Sequence, residues 1–281
     1  MSTSRKTVRA AGTSLRFVVL TVGAIVMILP FAYMVSTAFK PQAYVLETPP
    51  KFIPDPGTVD NFVQAWTTQD FSRYALNSAF VSVTSTLLAV WLSSMMAYAF
   101  ARFDFPGKEW FFRALLLGLM IPSMMLIIPQ FVLTKQLHLI DNLWALVLFY
   151  VSGNLALNTF LLRSFFEGIP RELDEAMEVD GANVWTRYWR LAMPLARPAL
   201  ATTVIFTFLA TWDEFAWALT VISTETKRTL PIAIQLFHGQ NSTQWGLVFA
   251  ASLIAILPVI VVYLIFQRHF VAGLTAGAVK G

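Results

Sequence analysis

The sequence lacks cysteine and is poor in charge, and each shortage excludes a class of protein. Without cysteine, neither a disulfide framework nor a cysteine-ligated metal site is possible. The three histidines are scattered and make a poor metal cluster. Charged residues make up only 13% of the chain, whereas an ordinary soluble domain has about 25%. We therefore expect no metal site, and we expect lipid rather than water around most of the chain.

Long apolar stretches predict helices that cross a membrane. Hydrophobic residues make up 57% of the 281 residues, and six stretches reach or approach the length of about 20 residues that a spanning helix needs. Barrel strands alternate apolar and polar residues and these stretches do not, so helices are indicated. We predict an all-α polytopic membrane protein, with residues 1–281 forming a single transmembrane domain. Its six spans are expected at about 17–39, 74–101, 114–134, 142–162, 198–223 and 244–267.

The distribution of basic residues predicts the orientation. With the N-terminus taken as inside, 14 of the 20 lysines and arginines fall in inner segments, as basic residues of cytoplasmic loops do. The outer ones are Lys40, Lys51, Arg73, Lys135, Lys227 and Arg228. Both termini and the loop 163–197 are therefore expected in the cytoplasm. The asymmetry also accounts for the net charge of +4, so that no nucleic-acid partner is implied.

Prolines interrupt two of the predicted spans. Pro122 and Pro129 each remove a helix hydrogen bond, so we expect the third span to be kinked or broken. Broken backbone at membrane depth lies beside protein or a water-filled cavity, which makes this segment a candidate part of a solute path. Proline kinks also occur in membrane helices without such a role. We expect Pro258 to interrupt the sixth span similarly.

Two neighbouring acids lie inside the fifth predicted span. A charge near the bilayer centre costs at least about 2.5 to 3.5 kcal/mol, so Asp213 and Glu214 should face a polar cavity or a partner helix. Carboxylates hydrogen-bond sugar hydroxyls, and Trp212 or Trp217 could stack on a sugar face. The alternative is that the two acids fix the fifth span to its neighbours.

The stretch from Pro170 to Pro194 in the loop 163–197 is rich in acids and is called the island. Its first part predicts a short exposed helix. Pro170 suits its first turn, and Gly181 stops it by adopting a left-handed conformation, which leaves about ten helical residues. Small and apolar side chains form a narrow stripe flanked by acids, at helical spacing: Leu173, Ala176, Met177 and Asp180.

A second short helix is expected from Asn183 to Leu191, with Pro194 and Pro198 marking the turn into the fifth span. An exposed helix pair of this kind can enter a groove on a partner protein. Its basic residues Arg187 and Arg190 could pair with the island's acids or contact that partner, and the sequence leaves both open.

The island has the spacing of a known motif. Glu175-Ala176 is followed by Gly181 and, after nine further residues, by Leu191-x-Met193-Pro194. This pattern resembles the EAA loop of the membrane subunits of binding-protein-dependent ABC importers. Met177 replaces the second alanine, Leu191 an isoleucine and Met193 a leucine, and all three remain apolar.

The resemblance extends along nearly the whole chain. The tail 267–281 is similar to the ending of carbohydrate importer permeases related to the maltose-system G subunit. Trp212-Asp213-Glu214-Phe215 is similar to a segment that has asparagine in place of Asp213 in many relatives. The resemblance implies a type I ABC importer permease fold and a sugar or oligosaccharide substrate moved inward by alternating access across the inner membrane of a prokaryote.

The resemblance also implies an assembly of several subunits. The expected partners are a second homologous permease, two cytoplasmic ATPase subunits and an external solute-binding protein. The chain has no Gly-x-x-x-x-Gly-Lys-Ser/Thr phosphate loop, so we expect no bound cofactor and no enzymatic activity, with ATP hydrolysed by the partners. The residues implied in ATPase coupling are Glu175, Ala176, Met177, Asp180, Gly181, Leu191 and Pro194.

Three other functions remain as alternatives. A self-contained secondary transporter could use Asp213 and Glu214 as a proton or ion relay. A membrane scaffold without transport activity would need neither acid. Within the ABC importers, glycerol 3-phosphate is an alternative substrate, although two unneutralised acids would disfavour an anionic solute.

Overall fold

The computed structural model describes residues 2–68, 70–239 and 243–278, with side chains described for 16–68, 70–239 and 243–267. The last three residues of the family-like tail lie outside the described residues. Within the described parts the chain is helical. The α-helices are α1 (Ser2–Ala38), α2 (Asp60–Thr67), α3 (Phe71–Arg102), α4 (Lys108–Leu117), α5 (Ile127–Gln136), α6 (Leu143–Glu167), α7 (Arg171–Val179), α8 (Val184–Arg187), α9 (Met193–Leu195), α10 (Arg197–Trp212), α11 (Ala216–Val221), α12 (Leu230–Gln235) and α13 (Trp245–Ala278).

Several of these helices are long and apolar enough to cross a membrane. In the described residues four qualify alone, and counting each of two bent pairs as one span raises the number to as many as six. The four are Arg16–Ala38, Phe71–Arg102, Leu143–Glu167 and Trp245–Gln267. The bent pairs are Lys108–Met120 with Ser123–Gln136, at 94°, and Val184–Leu195 with Arg197–Trp212, at 77°.

The third predicted span is broken at Pro122, as expected. Ile121 has φ −90 and ψ 118, the extended conformation that a following proline imposes. Pro129 does not break the chain because it is the third residue of α5, where the backbone amide has no acceptor within the helix.

The fifth and sixth spans differ from the prediction. The fifth does not run unbroken from 198 to 223: α10 ends at Trp212, and α11 begins only at Ala216. The sixth span is not broken at Pro258, because α13 continues through this residue; a kink there stays a prediction. Membrane helices tolerate proline where neighbouring groups satisfy the freed backbone.

The chain divides into two compact units. The first comprises the described residues of Met1–Gln69 and Ile234–Ile254. In it, the side chain of Asn61 donates hydrogen bonds to the carbonyls of Ala38 at 2.8 Å and Lys40 at 2.7 Å. These bonds satisfy carbonyls at and just beyond the end of α1. Gly246 lies so close to Asn61 that a Cβ there would come within 2.8 Å of its amide.

The second unit comprises Asp70–Ala233 and the described residues of Ala255–Gly281. Its centre is the packing of α3 against α6 and α10. Small buried residues follow one side of α3 at helical spacing, and they let the neighbouring helices approach closely; they are Ser78, Ser82, Ser85, Ala89, Ser93 and Ala97. Asn158 on α6 donates a hydrogen bond to Thr207 on α10 at 2.8 Å, so polar groups also hold these helices together.

Candidate functional site

The island folds as the predicted pair of helical segments. Helix α7 covers Arg171–Val179 and has Glu172 and Asp174 in its first turn, where acids interact favourably with the helix dipole. Gly181 stops it with φ 79, the left-handed conformation that glycine adopts without strain. The sequence therefore predicted both the existence and the end of this helix.

The outer face of α7 carries the motif residues. Glu175, Ala176 and Asp180 are exposed, and Met177 is half-buried. Gly181 is exposed, and apart from its own chain neighbours no atom of the described residues lies within 4 Å of the position a Cβ would take. This face is open to a partner.

The inner side of α7 is fixed by an ion pair that the sequence did not reveal. Arg102, the last residue of α3, places its Nε 3.0 Å from Oδ2 of Asp174, and the two side chains are only 7% and 13% exposed. Arg102 also donates a hydrogen bond to the carbonyl of Ile169 at 2.9 Å. The hydroxyl of Tyr98 lies 3.4 Å from the other carboxylate oxygen of Asp174.

A second ion pair and a small cavity adjoin this one. Arg187 pairs with Glu178 at 2.5 Å, so one of the two basic residues left open by the sequence pairs with an acid of the island. Arg190 is exposed. The cavity has a volume of about 250 Å³, and its lining residues are Tyr98, Arg102, Phe103, Arg171, Asp174, Glu175, Glu178 and Arg187.

The second helical segment is longer than predicted. It begins after Asn183, whose side chain accepts a hydrogen bond from the amide of Thr186 at 2.9 Å. It passes through a π-helical turn at Tyr188–Ala192 and reaches Leu195. The chain bends at Ala196, and Pro194 lies within the last helical turn. Leu191 is half-buried and Pro194 is exposed.

Tyr188 anchors this segment in the interior of the second unit. Its side chain is 2% exposed and belongs to an apolar cluster with residues of α3 and α6. The Tyr188 hydroxyl forms a hydrogen bond with the hydroxyl of Ser94 at 2.6 Å. Both helical segments of the island are therefore fixed to the end of α3.

The break in the fifth span contains the two predicted acids, and they have different surroundings. Glu214 accepts hydrogen bonds from the amides of Trp217 at 2.8 Å and Ala218 at 3.1 Å, which satisfy two unpaired donors at the start of α11. The Tyr150 hydroxyl on α6 donates a third. Asp213 is exposed.

The two tryptophans beside these acids are buried. Trp212 and Trp217 are each 4% exposed. The indole nitrogen of Trp212 donates a hydrogen bond to the carbonyl of Ala255 at 3.0 Å, and Trp217 packs against Phe149 with ring centroids 5.0 Å apart. In this structure both rings pack within the chain rather than presenting an open face.

The residues of the candidate solute path are only partly brought together. Trp217 belongs to an apolar cluster against which Ile127 of α5 packs, so the helix that contains Pro129 adjoins the break in the fifth span.

Among the described residues, no group of three or more histidine and acidic side chains could hold a metal ion.

Asp141 forms a further polar network that the sequence did not indicate. Its carboxylate accepts hydrogen bonds from the amides of Ser223 at 3.0 Å and Thr224 at 2.9 Å, from the Thr224 hydroxyl at 2.6 Å and from Lys227 at 3.0 Å. Partial desolvation raises the pKa of Asp141, but the hydrogen bonds from Thr224, Lys227 and Ser223 outweigh it and hold the pKa well below its usual value. The network fixes the segment after α11 to the start of α6.

Comparison with known proteins identifies the family. Residues 89–275 match the family described as binding-protein-dependent transport system inner membrane component. The chain is 37% identical to the trehalose transport system permease protein SugB of Mycobacterium tuberculosis, over 90% of this chain and 93% of that protein. It is 34% identical to the trehalose/maltose transport system permease protein MalG of Thermococcus litoralis, over 95% and 98%.

A solved structure supports the fold. The chain matches a bacterial ABC transporter involved in the import of the acidic polysaccharide alginate with a TM-score of 0.81 and 24% identity, over 96% of this chain and 99% of that one. The predicted helical permease fold is thereby confirmed, and the family is a transport component rather than an enzyme. This chain belongs to the inner membrane components of binding-protein-dependent transport systems.

Proposed function

We propose that this chain is the permease subunit through which an ATP-driven importer moves a sugar or oligosaccharide into the cell. The proposal rests on the family and on relatives that carry trehalose and maltose in their names and cover nearly the whole chain. Family membership favours a multi-subunit importer over a self-contained secondary transporter and over a scaffold.

The geometry of α7 is the main structural support for this function. Its outer face exposes Glu175 and Ala176, while its inner side is fixed through Asp174 to Arg102. An exposed acid on a firmly held helix can bind a basic residue of a partner and pass on the force that it receives. We assign this face, together with Met177, Asp180, Gly181, Leu191 and Pro194, to contact with a cytoplasmic ATPase.

ATP hydrolysis is assigned to a pair of such ATPase subunits, because this chain has no phosphate-loop motif. A second homologous permease completes the membrane part, and an external solute-binding protein delivers the sugar. The ATPase can drive alternating access only if it binds the loop differently in the two states of the permease. Both termini and the loop 163–197 then face the cytoplasm, in agreement with the basic residues.

Asp213 is the acid that we assign to the solute path. It is exposed at a break in the fifth span, and a carboxylate can accept hydrogen bonds from sugar hydroxyls. Glu214 is already occupied within the chain, and the buried rings of Trp212 and Trp217 pack rather than stack on a ligand. The break at Pro122 is a second candidate position on the path, and Pro129 only shapes the start of α5.

Purification and reconstitution test the proposal. The tagged chain should copurify with an ATPase and a second permease, and vesicles containing the complex should take up sugar only with ATP and the binding protein. Trehalose, maltose and glycerol 3-phosphate are compared as solutes. Uptake by the chain alone, driven by an ion gradient, would establish the secondary transporter instead, and an assembled complex that moves no solute would favour the scaffold. Uptake of glycerol 3-phosphate but of neither sugar would overturn the substrate assignment.

A further inference from the structure

Helix α3 contacts the loop 163–197 at its C-terminal end and the stretch 226–230 near its N-terminal end. At its C-terminal end, Ser94, Tyr98 and Arg102 contact Tyr188 and Asp174 of the loop 163–197. Toward its N-terminal end, the side-chain amide of Asn77 donates hydrogen bonds to the backbone carbonyls of Thr226 at 3.0 Å and Arg228 at 2.9 Å. Ser78 accepts a hydrogen bond from the amide of Leu230 at 2.8 Å.

The sequence of α3 makes it a stiff connection. Among the candidate spans of the described chain, only α3 contains neither proline nor glycine, and proline is a main cause of sharp kinks. The helix is continuous over its 32 residues. From Asn77 to Arg102 the helix rises by about 38 Å at 1.5 Å per residue. A movement imposed at one end of such a helix is passed to the other end rather than absorbed by a kink.

The attachment of α7 to this helix depends mainly on Arg102. Both members of the Arg102 and Asp174 pair are largely shielded from water, so removing one charge leaves the other buried and unpaired, which is strongly unfavourable. The bond from Arg102 to the Ile169 carbonyl holds the chain just before α7 begins. One guanidinium thus fixes the helix at two points.

We propose that Arg102 is the positioning residue that makes α7 and α3 move as one unit, so that a displacement of α7 reaches the segment Thr226–Leu230 at the other end of α3. This role rests on the proposed function of α7 as the ATPase contact. The exposed residues 223–225 just before this segment are the surface at which the displacement becomes available to an external partner. The Asp141 network holds the same surface from its other side.

Paired spin labels on the complete importer test the link. The chain has no cysteine of its own, so in a complex whose other subunits are cysteine-free, labels attach only at Val179→Cys on α7 and Ser223→Cys beyond α11, both of them exposed positions. With Arg102 present, we expect one narrow distance distribution that is the same with and without trapped ATP. Arg102→Gln and, independently, Asp174→Asn should broaden the distribution and shift it between the two states.

Transport provides the second measurement. Arg102→Gln should lower the solute moved per ATP hydrolysed by a factor of about ten, because an unpaired buried charge shifts equilibria by at least that much. Arg113→Gln on α4, an exposed arginine, is the matched control and should behave as wild type. The exchanged pair, Arg102→Asp with Asp174→Arg, should narrow the distribution again and recover part of the coupling.

The outcomes separate this inference from the function on which it rests. If Arg102→Gln and Asp174→Asn leave both the distance distribution and the coupling ratio unchanged, α3 is not the link. If Arg102→Gln alters the distribution and the coupling ratio but Asp174→Asn alters neither, Arg102 does not act through Asp174 and the proposal is overturned. Glu175→Lys is measured alongside: normal coupling in that variant would remove the ATPase contact itself, whereas lost coupling there with normal coupling in Arg102→Gln would remove only the link.

Discussion

The hydroxyl of Tyr150 on α6 donates a hydrogen bond to Glu214 in the break of the fifth span. The same carboxylate accepts two backbone amides from α11, so this chain itself satisfies an acid carried into an apolar span. Asp213, one residue earlier, is exposed. Adjacent acids that look alike in the sequence are thus expected to respond differently to substitution.

Tyr150→Phe should destabilise the complex without changing its solute preference. It removes one hydrogen bond to a charged group, a loss of about 1.5 to 3 kcal/mol. Glu214→Leu should destabilise more, because it also frees the amides at the start of α11. Thermal unfolding of the purified complex measures both, with Tyr263→Phe, at an exposed position on α13, as the control. Unchanged unfolding temperatures in both variants would show that the Glu214 contacts do not brace the span.

Glu175→Lys should weaken binding of the ATPase while leaving membrane insertion intact. The substitution reverses the charge on the outer face of α7 without touching the pair between Asp174 and Arg102. Glu172→Lys, an equal change of charge at an exposed position in the first turn of the same helix, is the control and should retain most ATPase binding. The measurement is the amount of ATPase that copurifies with each variant when the variants are expressed at the same level. Equal losses from the two variants would indicate a general charge effect.

Gly181→Leu should misplace the two helical segments of the island. Its φ of 79 costs a non-glycine residue roughly 1 to 2 kcal/mol, and the open space around the position rules out a clash as the cause. Gly181→Asn should be milder because asparagine tolerates the left-handed conformation. Uptake and solute-stimulated ATP hydrolysis should fall in the order glycine, asparagine, leucine. A leucine variant as active as wild type would contradict a requirement for this turn.

How far the sequence predicted the island depends on the range of the interactions. Pro170, the early acids and Gly181 act locally, so they fixed the position of α7 without knowledge of its neighbours. The pair between Asp174 and Arg102 joins residues 72 positions apart. Nothing in the sequence near Arg102 distinguishes it from an ordinary basic residue at the end of a span.

In the fifth span, local composition gave a wrong prediction. Its composition predicted helix to residue 223, but the chain breaks after Trp212 because Glu214 begins a new helix by accepting the amides of Trp217 and Ala218. A side chain capping its own downstream helix is a local signal, yet an apolar span with two acids also fits an unbroken helix facing a cavity. Tertiary contacts such as the bond from Tyr150 decide between the two.

Asp141→Asn should lower the stability of the protein at neutral pH but not at low pH. Hydrogen bonds in the folded protein lower the pKa of Asp141, so the ionised carboxylate stabilises the fold above its unfolded pKa of about 3.9. This contribution disappears as the pH falls from there through the folded pKa. The difference in unfolding temperature between wild type and Asp141→Asn should therefore be present at neutral pH and shrink below about pH 4. Asp55→Asn, an exposed acid of the first loop, should show little difference at neutral pH. A difference for Asp141→Asn that stays constant with pH would contradict the ionised network.

Asp213 is the sharpest test of the solute path, because it is the acid of the pair that this structure leaves exposed. Asp213→Asn keeps a hydrogen-bonding side chain of nearly the same size, so we expect normal folding and an altered preference among sugars. Asp213→Leu removes every polar contact and should lower uptake on the order of tenfold, as expected when a ligand hydroxyl loses a charged partner. Because leucine also removes a charge from a membrane span, the unfolding temperature should not fall.

Solute-stimulated ATP hydrolysis is measured in complexes matched for assembly, with Glu214→Leu in parallel. If Asp213→Leu is stimulated normally by the native solute, Asp213 does not line the path; if it instead assembles as poorly as Glu214→Leu, Asp213 serves packing against another subunit.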